Sequence, residues 1–174
     1  VEERIDWTKD SWHERGDVQQ LRSAFADWHP EVSQLLGAVE ETFLWALYGR
    51  KPLPLWHAGR VVLLGDACHP MLPFMAQGAA MAIEDAYVLA QQLASCDVSE
   101  AAELEQALVS YTQQRKPRAT MVQQMSRANA SLYHMHGGPL GVLRLNMINA
   151  ATRLFPQLVA AKLDPIYGYD VGIN

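Results

Sequence analysis

Asp66 stands just past the apolar run Val61–Leu64, after Gly65, and Gly78, Ala79 and Ala80 open an alanine-rich stretch further on. Ligands of open α/β sheets bind beyond the carboxyl ends of the strands. A carboxylate in that place is suited to accept hydrogen bonds from the hydroxyls of a ribose or ribitol chain, and Gly65 lets the backbone approach a ligand closely. At a helix start four amides lack an intrahelical partner and favour anionic or electron-rich groups. Gly78, Ala79 and Ala80 expose such amides with almost no side-chain bulk, so a flat polar heterocycle could lie against them. Pro70 and Pro73 stiffen the loop between the two features into a preorganised wall. A plain turn followed by a closely packed helix explains the same residues, and the residues alone leave both readings open.

Other chemistry-bearing residues read more simply. His69 is expected to be a loop histidine bonded to backbone, because a metal site needs three or four ligands and no second cluster is visible. Cys68 reads as a small packed residue. His134 and His136 precede Gly137-Gly138-Pro139 and suit a helix terminus. Glu84 and Asp85 are adjacent, about 100° apart on a helix, so they cannot act as a facing acid/base pair, and Asp85 is expected to cap or pair locally. Met71, Met75 and Met81 read as core or pocket wall, and Arg115, Lys116 and Arg118 as a solvated helix face.

The elements that must position these residues follow from periodicity. Val18–Ala26 and Glu31–Val39 carry apolar residues at helical spacing, with Pro30 at a first turn. Thr42–Tyr48 is aromatic and apolar enough for a strand. Gly59-Arg60 reads as a turn into Val61–Leu64, whose unbroken apolar run predicts a strand covered on both faces, as in a parallel sheet. Gln77–Ala94 predicts a helix with Ala79, Ile83, Ala86, Leu89, Ala90 and Leu93 along one face. Ser99–Met135 predicts one or two long helices interrupted or kinked near Pro117. Gly137-Gly138-Pro139 is a breaker, Leu140–Phe155 a final amphipathic helix, and LDPIYGYDVGIN an irregular tail.

The 174 residues suffice for one domain with a real core, and 49% apolar against 19% charged residues is ordinary for a globular chain. A net charge of −5 argues against a nucleic-acid partner. Two cysteines without CxxC spacing point to a reduced, cytoplasmic protein rather than a disulfide framework. No apolar run reaches the roughly 18 residues that cross a membrane, and the polar first residues hold no signal-peptide core. Val1 is not an initiator methionine, and a single parallel-type strand cannot form a sheet alone. The chain is therefore expected to be a fragment lacking its first part.

Gly65, Asp66, Ala67, Cys68, His69, Pro73, Gln77, Gly78, Ala79, Ala80, Glu84, Asp85 and Ala86 together resemble the second flavin-binding motif of the FAD-dependent aromatic hydroxylases, the class A flavoprotein monooxygenases. FADWHPEVSQLL, PLPLWHAGRVVLLGDA, YTQQRKPRATMVQQMSRAN and YGYD resemble the salicylate hydroxylase and 6-hydroxynicotinate 3-monooxygenase branch. The resemblance covers essentially the whole chain, as the C-terminal part of such an enzyme. It implies an α/β fold: the C-terminal part of a FAD/NAD(P)-binding, Rossmann-like fold of glutathione-reductase type, this piece predominantly helical with two or three strands. Residues 1–58 would be the end of a substrate-domain-like region with a connector, 59–136 the C-terminal part of the FAD-binding domain, and 137–174 a C-terminal helix and tail.

By the same resemblance Asp66, beside Gly65, contacts the FAD ribitol hydroxyls, and the amides around Gly78, Ala79 and Ala80 face the pyrimidine edge of the isoalloxazine. Pro73 and Gln77 line the ring and the neighbouring substrate cavity, which Phe74 and Met75 shape. Many relatives have Asn at Ala80 and Gly at Met75, so backbone contacts carry more of the load here. The implied reaction hydroxylates a small phenolic or hydroxylated N-heteroaromatic acid with NAD(P)H and O2 through a flavin C4a-hydroperoxide. The base that ionises the substrate lies upstream of this chain, and none of its six histidines takes that role. The resemblance implies a small aromatic substrate, O2 and the N-terminal half of the same protein as partners. The long C-terminal helices and tail could serve as a homodimer surface, and charge, hydropathy and ligand count lead to no nucleic-acid, membrane or metal partner being expected. The competing expectation is a truncated, non-catalytic helical interaction domain without bound flavin.

Overall fold

The computed structural model describes residues 13–47, 49–133 and 138–172. The chain divides into two compact units, one ending at Leu47 and one following it.

In the first unit β1 (Arg15–Gly16) pairs antiparallel with β2 (Thr42–Phe43), Arg15 opposite Phe43. Between them run α1 (Val18–Ala24) and α2 (Pro30–Gly37). The Asp17 carboxylate caps α1 by accepting from the Gln19 amide at 2.7 Å, and Pro30 occupies the first turn of α2. Arg22 donates from α1 to the carbonyls of Leu36, Gly37 and Val39, satisfying acceptors that the end of α2 leaves open. The strand expected over Thr42–Tyr48 is limited to its first two described residues, because Arg15–Gly16 offer only a two-residue partner; Tyr48 lies outside the described residues.

In the second unit β3 (His57–Ala58) turns through Gly59, at φ +55°, into β4 (Val61–Val62). This corrects the covered parallel-type strand. The pair is an antiparallel two-residue hairpin, Leu63 only extends it by donating to the Trp56 carbonyl at 2.8 Å, and Val61 is 67% exposed. No third strand lies beside it among the described residues.

Helix α3 (Gly78–Ala94) starts one residue later than predicted. Its buried stripe is Met81, Asp85, Val88 and Leu89, a helical i, i+4, i+7, i+8 spacing. The predicted face was rotated: Ile83 is 70% exposed, and Ala79, Ala86 and Ala90 also face outward. The rotation comes from Asp85, which turns inward to Arg115 on α4 and to Gly65 and His69 in the preceding turn. Helix α4 (Ala101–Tyr133) runs unbroken through Pro117, so it is one helix; His134 and Met135 lie outside the described residues. Its face of Leu104, Leu108, Tyr111 and Ala119 closes on Val88, Leu89, Trp56 and Cys68 to make the core. Tyr111 donates its hydroxyl to the Leu63 carbonyl at 3.1 Å, tying α4 to the hairpin.

Helix α5 (Pro139–Leu154) begins after Gly138, at φ +130°, and buries none of its residues. The segment after it is more regular than expected, with α6 (Pro156–Ala161) and then α7 (Asp164–Tyr167) inside the expected tail. Ile166 is buried and anchors α7. No helix of the described residues is long and apolar enough to cross a membrane.

Candidate functional site

A 3-10 turn over Gly65–Ala67 carries the chain from the hairpin toward α3. Gly65 has φ +59°, and a Cβ on it would lie 3.0 Å from the Ala82 Cβ. Glycine is needed for both reasons. Its smallness admits α3, where the sequence reading had a ligand approaching. The Gly65 carbonyl accepts from the Cys68 and His69 amides at 3.1 and 2.9 Å, and its own amide donates to Asp85 Oδ2 at 3.0 Å.

Asp85 organises the ground beneath this turn. It is fully buried, and its Oδ2 also meets His69 Nε2 at 2.5 Å while Oδ1 accepts from Arg115 Nε at 2.8 Å. The His69 ring therefore pairs with a carboxylate instead of backbone, and Asp85 pairs across the fold instead of locally. Arg115 Nη1 lies 2.8 Å from Glu84 Oε2, an ion-pair distance without hydrogen-bond alignment. Arg118 grips Glu84 with Nε and Nη2 at 2.6 and 2.8 Å, donates to the Pro165 and Ile166 carbonyls, and lies 3.6 Å over the Tyr169 ring. The expected solvated basic face is overturned for Arg115 and Arg118, both buried, because their spacing on α4 sets them opposite Glu84 and Asp85. Lys116 points elsewhere, donating to the Pro54 carbonyl at 2.7 Å.

The electrostatics follow from this packing. Burial works to raise the Asp85 pKa, but the His69 and Gly65 bonds and Arg115 hold it below the ordinary carboxylate value. Burial likewise opposes the Arg115 charge, and Asp85 and Glu84 hold it above its ordinary value. Cys68 is pushed up to about 12 by burial first and the Asp85 charge second, so it stays a thiol. Cys68, His69 and Asp85 bring three ligand atoms within 4.8 Å of one another. Both Asp85 oxygens are already taken, one by a guanidinium, so the group is built as a hydrogen-bonded anchor.

The loop that follows is held from α4. Gln123 Nε2 donates to the Pro70 carbonyl at 3.0 Å, Ser126 Oγ to the Leu72 carbonyl at 2.6 Å, and Asn129 to the Met75 thioether. These three residues, one helical step of three apart, were missed by sequence reasoning; the signal was a polar repeat at i, i+3 and i+6 along the helix. A 3-10 turn over Pro73–Met75 ends at Ala76, which adopts the left-handed conformation at φ +52°. Pro73 is exposed, Phe74 and Gln77 are half-buried, and Met75 is buried.

The start of α3 closes the arrangement. Gln77 occupies the cap position with no side-chain bond, and the amides of Gly78, Ala79 and Ala80 have no partner among the described residues. A Cβ on Gly78 would lie 3.8 Å from Asp66 Oδ1, so the exposed Asp66 carboxylate stands beside those free donors. An acceptor for hydroxyls thus adjoins a row of amide donors that carry almost no side-chain bulk of their own, with Met71 beside Gly78. A separate groove of about 420 Å³ between Gln92, Cys96, Gln106 and Ser110 lies at the other end of α3.

Residues 10–126 match a family model described as the FAD binding domain. The chain is 39% identical over 149 residues to 3-amino-4-hydroxybenzoate 2-monooxygenase PtnB3 of Streptomyces platensis, covering 86% of this chain and 37% of that protein. It is 49% identical over 123 residues to 6-hydroxynicotinate 3-monooxygenase of Pseudomonas fluorescens, covering 71% and 31%. A solved structure of a salicylate hydroxylase substrate complex superposes with a TM-score of 0.76 at 31% identity, over 97% of this chain and 39% of that one. The chain thus spans between 31% and 37% of the length of these two curated relatives.

Proposed function

The chain belongs to the FAD binding domain family, and from that premise we propose that it is the C-terminal portion of an FAD-dependent aromatic monooxygenase. One observation carries the reading: three unpaired amides at Gly78, Ala79 and Ala80 beside the carboxylate of Asp66. Those groups fit a flavin, which presents ring carbonyls and a polyhydroxylated chain. Asp66 accepts from the ribitol hydroxyls. The helix-start amides donate to the pyrimidine edge, where their partial positive charge favours electron density on the ring. When bound, FAD supplies the reductive activation of O2 that inserts oxygen into an aromatic ring.

The substrate class is a small phenolic or hydroxylated N-heteroaromatic acid, and NAD(P)H is the reductant. Pro73, Phe74, Met75 and Gln77 form this chain's side of the substrate cavity. The hydrogen bonds from Gln123 and Ser126 keep that wall fixed against α4. Residues 59–136 are the FAD-binding part, and the ionising base comes from the N-terminal portion of the same protein. The reading places the protein in a reducing cytoplasm, where the free Cys68 and Cys96 stay thiols. The exposed apolar side chains of α5, Leu140, Leu145 and Met147 among them, favour burial against another polypeptide.

The test is a titration of FAD into the intact protein, followed by visible absorbance and flavin fluorescence. Stoichiometric binding that Asp66→Ala weakens by about tenfold or more is expected from loss of charged hydrogen bonds. Absence of FAD binding by intact, folded protein overturns the reading in favour of a helical interaction domain.

A further inference from the structure

We propose that Asp85 is a positioning residue for the flavin site, acting on Asp66 by holding the backbone turn before and after it. The inference rests on the flavin reading above. Asp66 makes no side-chain hydrogen bond among the described residues and is exposed, so the turn that carries it sets where its carboxylate points. That turn is pinned at two points by one oxygen: Asp85 Oδ2 accepts from the Gly65 amide at 3.0 Å and meets His69 Nε2 at 2.5 Å. The second oxygen is locked by Arg115 Nε at 2.8 Å, so the carboxylate cannot rotate away without breaking an ion pair. Arg115 is set in turn by Glu84, and Glu84 by Arg118, whose guanidinium also binds the Pro165 and Ile166 carbonyls.

The burial of the set argues for geometry over stability. Asp85, His69 and Arg115 are each at most 1% exposed. A buried ion pair contributes little net stability compared with apolar residues of the same size, and one well-supported use of such pairs is to fix a single arrangement. Here the arrangement fixed is that of the turn bearing Asp66 relative to the first turn of α3. Sequence adjacency hides the link, because Asp85 acts on residues that precede it by a whole loop.

A double-mutant cycle on FAD affinity in the intact flavoprotein tests the link, using Asp66→Ala with His69→Asn and His69→Gln. Glutamine places an amide nitrogen near the position of Nε2 and keeps the bond to Asp85; asparagine places it near Nδ1 and loses it. We expect His69→Asn to weaken FAD binding about tenfold and His69→Gln to stay within about threefold of the parent. In the Asp66→Ala background His69→Asn should then weaken binding by less than about twofold, because the group it positions is gone. Equal losses for the two His69 variants, or a full tenfold loss that persists without the Asp66 carboxylate, overturn the inference and leave the flavin reading standing. An Asp66→Ala protein that binds FAD as tightly as the parent overturns the inference and removes Asp66 from the flavin contacts, whereas intact protein that binds no FAD overturns the flavin reading itself. If His69→Asn yields no folded protein, Arg115→Lys replaces it in the same cycle, since it keeps the charge beside Asp85 and loses the Nε bond.

Discussion

Gly65 and Ala82 meet so closely that a single methyl group on Gly65 would lie 3.0 Å from the Ala82 Cβ. The turn also needs φ +59° at that residue, which an L side chain adopts at about 1–2 kcal/mol. Gly65→Ala is therefore expected to lower the unfolding free energy of the intact protein by about 2 kcal/mol or more, and to weaken FAD binding by displacing the adjacent Asp66. Urea denaturation alongside an FAD titration checks both parts. An alanine variant with unchanged midpoint and unchanged affinity would show that the turn tolerates what its geometry forbids.

The helix Gln77–Ala94 was legible because small residues open it and apolar residues recur at helical spacing. Its inward face was not, because the residue that decides it is a charged one. Asp85 points inward to Arg115, thirty positions later, and hydrophobic periodicity carries no record of such a pair. The same blindness turned Arg115 and Arg118 into a solvated face. The Val61–Leu64 run looks like a covered strand because apolar residues without alternation look alike whether a sheet neighbour exists or not. The turn at Gly65–Asp66 and the helix start at Gly78–Ala80 were legible because turn chemistry and helix-start chemistry are local; the polar grip of Gln123, Ser126 and Asn129 on the loop is not.

Asp85 has a consequence for acid stability. Its pKa lies below the ordinary value near 3.8 in the folded protein. The unfolded chain then takes up the proton first as pH falls, so the stabilisation is complete above about pH 4 and is lost progressively below it. Asp85→Asn is expected to be destabilised by about 3–5 kcal/mol at neutral pH, because it leaves Arg115 buried without its principal partner. Its remaining stability should also fall less steeply than the parent's below pH 4. Urea midpoints measured from pH 6 to pH 3 decide the matter, and parallel curves for the two proteins would remove Asp85 as the titrating group.

The two cysteines should separate cleanly by reactivity. Cys68 is fully buried with its pKa near 12, from burial first and the Asp85 charge second, while Cys96 is half-buried at the end of α3. The nucleophile is the thiolate, so native protein at pH 8 is expected to take one alkylating label, at Cys96, and both only after denaturation. Peptide mass mapping reads the sites. The sign at high pH follows from the same shift: the unfolded thiol ionises near 9.0 and the folded one near 12, so stability falls as pH rises across that interval. Labelling of Cys68 in the native protein would show that the core around Trp56 and Tyr111 opens.

Ala76 is the one non-glycine residue with positive φ among the described residues, at +52°, and it sits between the Pro73–Met75 turn and the cap of α3. The conformation is disfavoured for alanine by about 1–2 kcal/mol, and glycine removes that penalty. Glycine also gives the unfolded chain more freedom, which offsets about 0.4–1 kcal/mol of the gain. Ala76→Gly is therefore expected to raise stability by about 0.5–1 kcal/mol, and Ala76→Val to lower it, since a β-branched side chain fits a left-handed backbone worst. The pair separates local strain from loop packing. If the loop is held mainly by Gln123 and Ser126, the loop geometry survives both changes and only the denaturation midpoint moves. A midpoint that falls for glycine as well as for valine would mean that the Ala76 methyl group is itself packed against a partner, and that the left-handed turn is sustained by that contact.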